Sequence, residues 1–353
     1  MSNLKYQSRI DGLRFIAIFM VLLEHFAMFI GRPLSAGFYG VNLFFVISGF
    51  LITSILIKDK NPFKKAYLNF LGRRSLRIFP IYYLTILLLY IIQTPNINER
   101  ILYLLTYTYN YQYTTLNFPS EPYSPFWSLS VEEQFYLFFP LVVLLLRKNR
   151  VFFLAICLLF FTVASLQLFF DLFSISKYNY MGLLTNMASL SLGAIGAGLR
   201  VKESMRNIFK GKLVEVLALA LLVFVNVFAP LHVQMIVWAF LNLFLVLKAY
   251  HFAFELNWLD KFLTNRKVVF VGRISYGIYL YHFIIGYYLT LYIFDPLWAL
   301  IPFENFGLLS KLEFHTWIIK FPLYSLITIG VAYLSYQMIE IRFLKLKDRF
   351  FSA

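Results

Sequence analysis

Ten apolar runs, each close to the roughly 20 residues that a helix needs to cross a bilayer, divide this 353-residue chain, at about 10–30, 38–57, 78–94, 127–147, 151–171, 181–199, 213–229, 233–250, 273–294 and 316–340. Lipid offers no hydrogen bonds to a backbone, so runs of this length predict helices, whose peptide groups satisfy one another. Composition agrees: 60% of the residues are hydrophobic and 14% charged, where a soluble domain carries about 25% charged residues. The expected fold is all-α, a polytopic membrane helix bundle of about ten transmembrane helices forming one domain over residues 1–353.

Basic residues give the orientation. With the N-terminus placed inside, the segments before span one, at 58–77, 147–150, 200–212 and 248–273, and after 340 hold 26 of the 32 Lys and Arg residues. Only Arg32, Arg100, Lys177 and Lys311 fall outside, as cytoplasmic retention of positive charge requires. Both termini are therefore expected in the cytoplasm and the protein in the inner, cytoplasmic membrane. The stretch 99–114 reads as an interfacial or re-entrant piece, because an eleventh span would turn every later basic cluster outward. A net charge of +15 then calls for anionic lipid headgroups as partners and for no nucleic acid. The sole cysteine, Cys157, excludes a disulfide within the chain, and no His and carboxylate spacing suggests a metal site.

The first run cannot be a signal peptide, since it carries Asp11, Arg14, Glu24 and His25 where such a segment is apolar, and no small-residue cleavage site follows it. Eleven residues separate Arg14 from His25, so at 100° per residue the two share a face, roughly 16 Å apart along the axis. Intramembrane charges are costly and by default face the bundle interior and act there. The plainer alternative is an interfacial Asp11–Arg14 pair, with His25 bonded to a neighbouring helix.

Other polar residues punctuate later spans. In "WSLSVEEQFY" Glu132 and Glu133 lie at about the depth of His25, and Glu132 shares a face with Ser128 and Tyr136. A histidine base needs something to orient its ring and stabilise the imidazolium, usually a carboxylate; Glu132, whose stripe could meet span one, is the expected partner of His25, with Glu133 the alternative. Glu133 faces elsewhere, where a structural ion pair suits it, and Glu24 points away from the ring. Ser48 and Gly49 in "FFVISGFL" read as close helix packing, with catalysis by Ser48 the alternative. Ser275 and Tyr279 share a face and His282 follows a turn later, lining a path or satisfying a core hydrogen bond. His232, His251 and His315 fall at span ends, where headgroup contacts are usual.

Five segments taken in order, "RIDGLRFIAIFMVLLEH", "GVNLFFVISGFLIT", "RRSLRIFPIYYL", "WSLSVEEQFYLFFPL" and "SYGIYLYHF", resemble the acyltransferase-3 membrane family, whose first span carries an Arg followed by ten residues and a His. The resemblance covers essentially the whole chain and implies transfer of an acyl group, most often acetyl, from a cytoplasmic donor to hydroxyls of surface or exported molecules. Because many members carry a further soluble domain after the membrane part, an end at "IRFLKLKDRFFSA" would correspond to the stand-alone form. It also implies that Arg73, Arg74 and Arg77 receive the phosphates of acyl-CoA, a task suited to guanidinium forks; an anchor for the inner membrane face is the alternative. His25, Arg14, Glu132 and Glu133 are then the expected catalytic set. Trp127, Ser128, Ser130, Tyr136, Ser48, Tyr279 and His282 are expected substrate contacts. Acetyl-CoA or another acyl-CoA would serve as donor substrate with no permanently bound cofactor, and a surface glycan or lipid-linked sugar as acceptor. A transporter or exporter using the same intramembrane residues is the rival class, although no inverted repeat supports it.

Overall fold

The computed structural model describes residues 7–116, 120–170, 181–199, 209–301, 307 and 316–351, and no β-strand occurs among them. Lys5, Lys177, Arg200, Lys202, Arg206, Lys311 and His315 lie outside the described residues.

Each of the ten apolar runs coincides with a helix: α1 (Ser8–Phe26), α2 (Ala36–Lys58), α3 (Phe63–Ile91), α4 (Phe126–Leu146), α5 (Arg150–Phe170), α6 (Leu183–Gly198), α7 (Lys212–Phe228), α8 (Leu231–His251), α9 (Ser275–Leu289) and α10 (Phe321–Ser335). Helical structure continues beyond α9 to Trp298 and runs on beyond α10, through the π-helical turn Tyr336–Glu340, to Phe350. Prolines set several starts. Pro62, Pro125 and Pro230 directly precede α3, α4 and α8, where a residue without an N–H costs no helical hydrogen bond.

Seven of these helical stretches are long and apolar enough to cross a membrane. The exceptions are α1, which carries Arg9, Asp11, Arg14 and Glu24, and α6 and α7, with 16 and 17 residues. The chain is an all-α, multi-pass membrane protein. Its outer faces suit lipid: Phe152, Leu159 and Phe170 on α5 and Leu217, Phe224 and Phe228 on α7 are exposed, an apolar surface that water would not tolerate. The 99–114 stretch forms two short helices, Ile97–Leu105 and Tyr109–Thr115, neither long enough to span.

One boundary differs greatly from expectation. Helix α3 begins at Phe63 rather than near 78, because the basic residues of 64–77 lower the hydropathy without breaking the helix. The result carries Arg73, Arg74 and Arg77 on a continuous helix.

The polar first helix is placed inside the bundle, where its charges escape lipid. It packs against α2, α8, α9 and α10 and against the short helices Asn257–Thr264 and Arg266–Arg273. Two glycines permit the closest approaches. A Cβ on Gly272 would fall 1.8 Å from the Asp11 carbonyl oxygen, and one on Gly12 would fall 2.4 Å from that of Leu263. Asp260 fastens the same end through hydrogen bonds of 2.6 and 3.1 Å from Arg9. Burial alone would raise the Asp260 pKa; these bonds and one from the Phe254 backbone hold it below the usual value instead. Helix α2 lies equally close to α6, since a Cβ on Gly49 would meet the Leu190 carbonyl oxygen at 2.0 Å. Lys248, counted by sequence among the headgroup-facing cations, is instead buried in an ion pair with Glu215.

Candidate active site

Three cavities follow the polar face of α1 from end to end. At its N-terminal end a basic mouth of about 400 Å³ is bordered by Arg14, Arg77, Arg273, Lys347, Asp11 and Glu340. A waist of about 70 Å³ comes next, bordered by Ser48, Arg74, Ser128 and Glu132. At the C-terminal end of α1 a mouth of about 360 Å³ is bordered by His25, Glu24, Arg32, Tyr113, Trp127 and Phe283. Arg14 and Arg77 border both the basic mouth and the waist, and Val41 and Tyr279 border both the waist and the histidine mouth. The three cavities thus stand in a row with shared walls, a candidate route through the bundle.

In the basic mouth Arg14 donates to Asp11 at 2.9 Å, so the Asp11–Arg14 pair exists and also borders the route. Arg77 makes no hydrogen bond or ion pair with another described residue. Glu340 Oε1 is buried without a hydrogen-bond partner. Among the described residues four cations and two carboxylates border this mouth. Arg73 turns away and donates to the Phe351 carbonyl at 3.0 Å. The expected arginine trio is thus divided.

At the waist Arg74 stacks over the Tyr136 ring, 3.9 Å from its centroid, and hydrogen-bonds the Tyr136 hydroxyl. Ser48 shares that hydroxyl at 2.6 Å. Glu132 stands 4.0 Å from Arg74, and Arg74 Nε is buried with no partner. Glu133 borders none of the three cavities, and its Oε1 is buried and unpartnered. The ion pair expected for Glu133 belongs to Glu132.

The expected Glu132–His25 partnership does not form. His25 Nδ1 lies 3.0 Å from the Val21 carbonyl oxygen and 3.2 Å from Nε2 of the buried His282. His282 Nδ1 in turn lies 2.6 Å from the Tyr279 carbonyl oxygen. Equal depth on two helices does not make two side chains neighbours, and another histidine fills the place beside the ring. Glu24 accepts the Gly37 N–H at 2.6 Å, so it shapes the mouth instead of orienting His25. Tyr279 and Ser128 join hydroxyls at 2.6 Å and close the wall between waist and mouth. Trp127 borders the histidine mouth, whereas Ser130 bonds back to the Phe126 carbonyl at 3.2 Å and borders none of these three cavities.

Sequence reasoning missed Arg273, Lys347 and Glu340 in the basic mouth and Arg32 in the other. Glu340 could have been found, since it is an acidic residue at the edge of an apolar run. The two basic residues were absorbed into the count of cytoplasmic charges.

The fold is a membrane helix bundle whose interior holds a cationic mouth and, at the C-terminal end of α1, the adjoining His25 and His282. Residues 7–337 match the family model described as an acyltransferase domain, and the chain belongs to the acyltransferase-3 family. It is 28% identical, over 97% of its length and 58% of the relative's, to a Staphylococcus aureus (strain MSSA476) protein, SAS0844, provisionally named an O-acetyltransferase. It is 30% identical, over 79% of its length and 50% of the relative's, to the O-acetyltransferase OatA of Staphylococcus aureus (strain NCTC 8325 / PS 47). The chain spans about half the length of the curated relatives it matches. No solved structure matches it.

Proposed function

We propose that this protein is an O-acetyltransferase of the cytoplasmic membrane. It takes the acyl group of acyl-CoA on the cytoplasmic side and passes it to a hydroxyl of a cell-surface or lipid-linked glycan on the other. The observation that carries this reading is the row of three cavities with shared walls, cationic at one end and bearing a histidine at the other.

The donor's phosphates bind at Arg77, Arg273 and Lys347, with Arg14 at the inner edge of the waist. Charge-assisted bonds of this kind are the strong ones. The slim pantetheine arm threads the waist, where Arg74 and Ser48 offer donors to its amides, and the thioester reaches the histidine mouth. There Trp127 and Tyr113 give the flat apolar faces on which sugar rings rest. His25 removes the proton of the acceptor hydroxyl as its oxygen attacks the thioester carbonyl. The C–S bond breaks, the ester forms, and the proton passes from His25 to the departing thiolate. Acyl-CoA and alcohol become ester and CoA, with no co-reactant.

The test is transfer of labelled acetyl from acetyl-CoA to glycan by purified protein in vesicles. His25→Ala should lower the rate on the order of 10²- to 10⁴-fold, the usual contribution of a general base, while the protein remains folded. Near-normal transfer by that variant removes His25 as base. Delivery of acylated glycan across the vesicle membrane without consumption of acetyl-CoA would make the protein an exporter.

A further inference from the structure

The contact between the two histidines assigns a role to His282 beyond lining the route. We infer that His282 is a positioning residue that dictates which ring nitrogen of His25 is left free to take a proton. The inference rests on the reading of His25 as the base.

The hydrogen bonds run inward from the Tyr279 carbonyl. A carbonyl oxygen can only accept, and His282 Nδ1 lies 2.6 Å from it, so that nitrogen carries a hydrogen. A neutral imidazole has only one. His282 Nε2 is therefore bare and can only accept, and what it meets at 3.2 Å is His25 Nδ1. The Val21 carbonyl oxygen, 3.0 Å from the same nitrogen, makes the same demand. Both acceptors place the hydrogen of neutral His25 on Nδ1. Nε2 is then the basic nitrogen; it has no hydrogen-bond partner among the described residues, and the ring borders the histidine mouth.

Val21 alone is a poor guide for the ring. It stands four residues before His25 in α1, so in a regular helix its carbonyl already accepts the His25 backbone N–H. His282 offers an undivided lone pair. Its own place is fixed: the side chain is fully buried, and the Tyr279 hydroxyl is tied to Ser128 Oγ at 2.6 Å and to the Pro125 carbonyl at 3.1 Å, which pins α9 to the start of α4. When His25 Nε2 takes the hydroxyl proton, the bond from Nδ1–H to His282 becomes charge-assisted and strengthens. A neutral ring thus does what a carboxylate does in many hydrolases, without placing a second ion in the membrane interior.

The experiment compares His282→Ala with His282→Gln in purified full-length protein reconstituted in vesicles with acetyl-CoA. Glutamine restores an acceptor oxygen near the Nε2 position; alanine does not. The alanine variant should lose on the order of 10²-fold in kcat with KM for acetyl-CoA unchanged, and glutamine should recover to within about tenfold of wild type. Independently of turnover, nitrogen-15 spectra of histidine-labelled protein should show His25 protonated at Nδ1 in wild type and the glutamine variant. They should show mixed tautomers in the alanine variant. Wild-type kcat in the alanine variant, a folded glutamine variant no better than alanine, or an unprotonated His25 Nδ1 in wild type would each overturn the inference. Should the alanine variant fail to fold, the spectra of wild type and the glutamine variant decide. Full activity in His25→Ala would remove the base reading itself, whereas full activity confined to His282→Ala removes only the role given to His282.

Discussion

Of the arginine–glutamate pairs among the described residues, two have both partners shielded from solvent, and they are built differently. In the segment joining α3 to α4, Arg100 Nε meets Glu121 Oε1 at 3.2 Å. Asn96 donates to the same oxygen at 3.0 Å and the Tyr109 hydroxyl to the other at 2.8 Å. Every oxygen of that carboxylate is occupied, and neither charged residue borders the route. At the waist, by contrast, Arg74 and Glu132 stand 4.0 Å apart, and Arg74 Nε has no partner. A saturated network rigidifies its surroundings, while unsatisfied polar atoms beside a cavity are capacity held for a ligand. The two pairs thus share their chemistry and differ in how far it is satisfied.

Substitution should separate the two most sharply at Glu121. Removing Glu121 takes the shared acceptor from Asn96 and the Tyr109 hydroxyl and leaves Arg100 only the exposed Glu99, so Glu121→Ala should cost roughly 3–5 kcal/mol of stability, read by unfolding in detergent. Unchanged stability would erase the distinction. At the waist the effect should fall on chemistry: Arg74→Gln should lower kcat on the order of 10²-fold, as loss of one prearranged donor does, with little change in the unfolding midpoint. A large loss of stability with intact turnover would make Arg74 architectural as well. The smallest effect concerns the basic mouth. Arg273→Gln combined with Lys347→Gln should weaken acyl-CoA binding about tenfold by calorimetry, as loss of two partly exposed charge contacts of up to about 1 kcal/mol each does, and added salt should weaken wild-type binding in the same direction. Equal affinity would return both residues to service as membrane anchors.

How far the sequence reveals this arrangement depends on the distance over which each relation acts. The 3.6-residue period placed Arg14 and His25 along one face of α1, and the route follows that face. Helix positions came from hydropathy and agree within a few residues, except at α3, where hydropathy reports solvent and the backbone ignores it. The partner of His25 was beyond such reasoning. Residue 282 lies 257 positions away, and no periodicity within one helix says which neighbour turns toward it. The division of Arg73, Arg74 and Arg77 among three surroundings was hidden for the same reason, since i, i+3 spacing fixes a side of the helix but not what stands there.

The small waist also bears on insulation. At about 70 Å³ it holds only a few water molecules, between far larger spaces on either side. A file of water that short, interrupted by a guanidinium stacked on a phenol ring, gives ions no continuous aqueous thread to follow. The conductance of vesicles carrying this protein should therefore stay at the level of bare lipid.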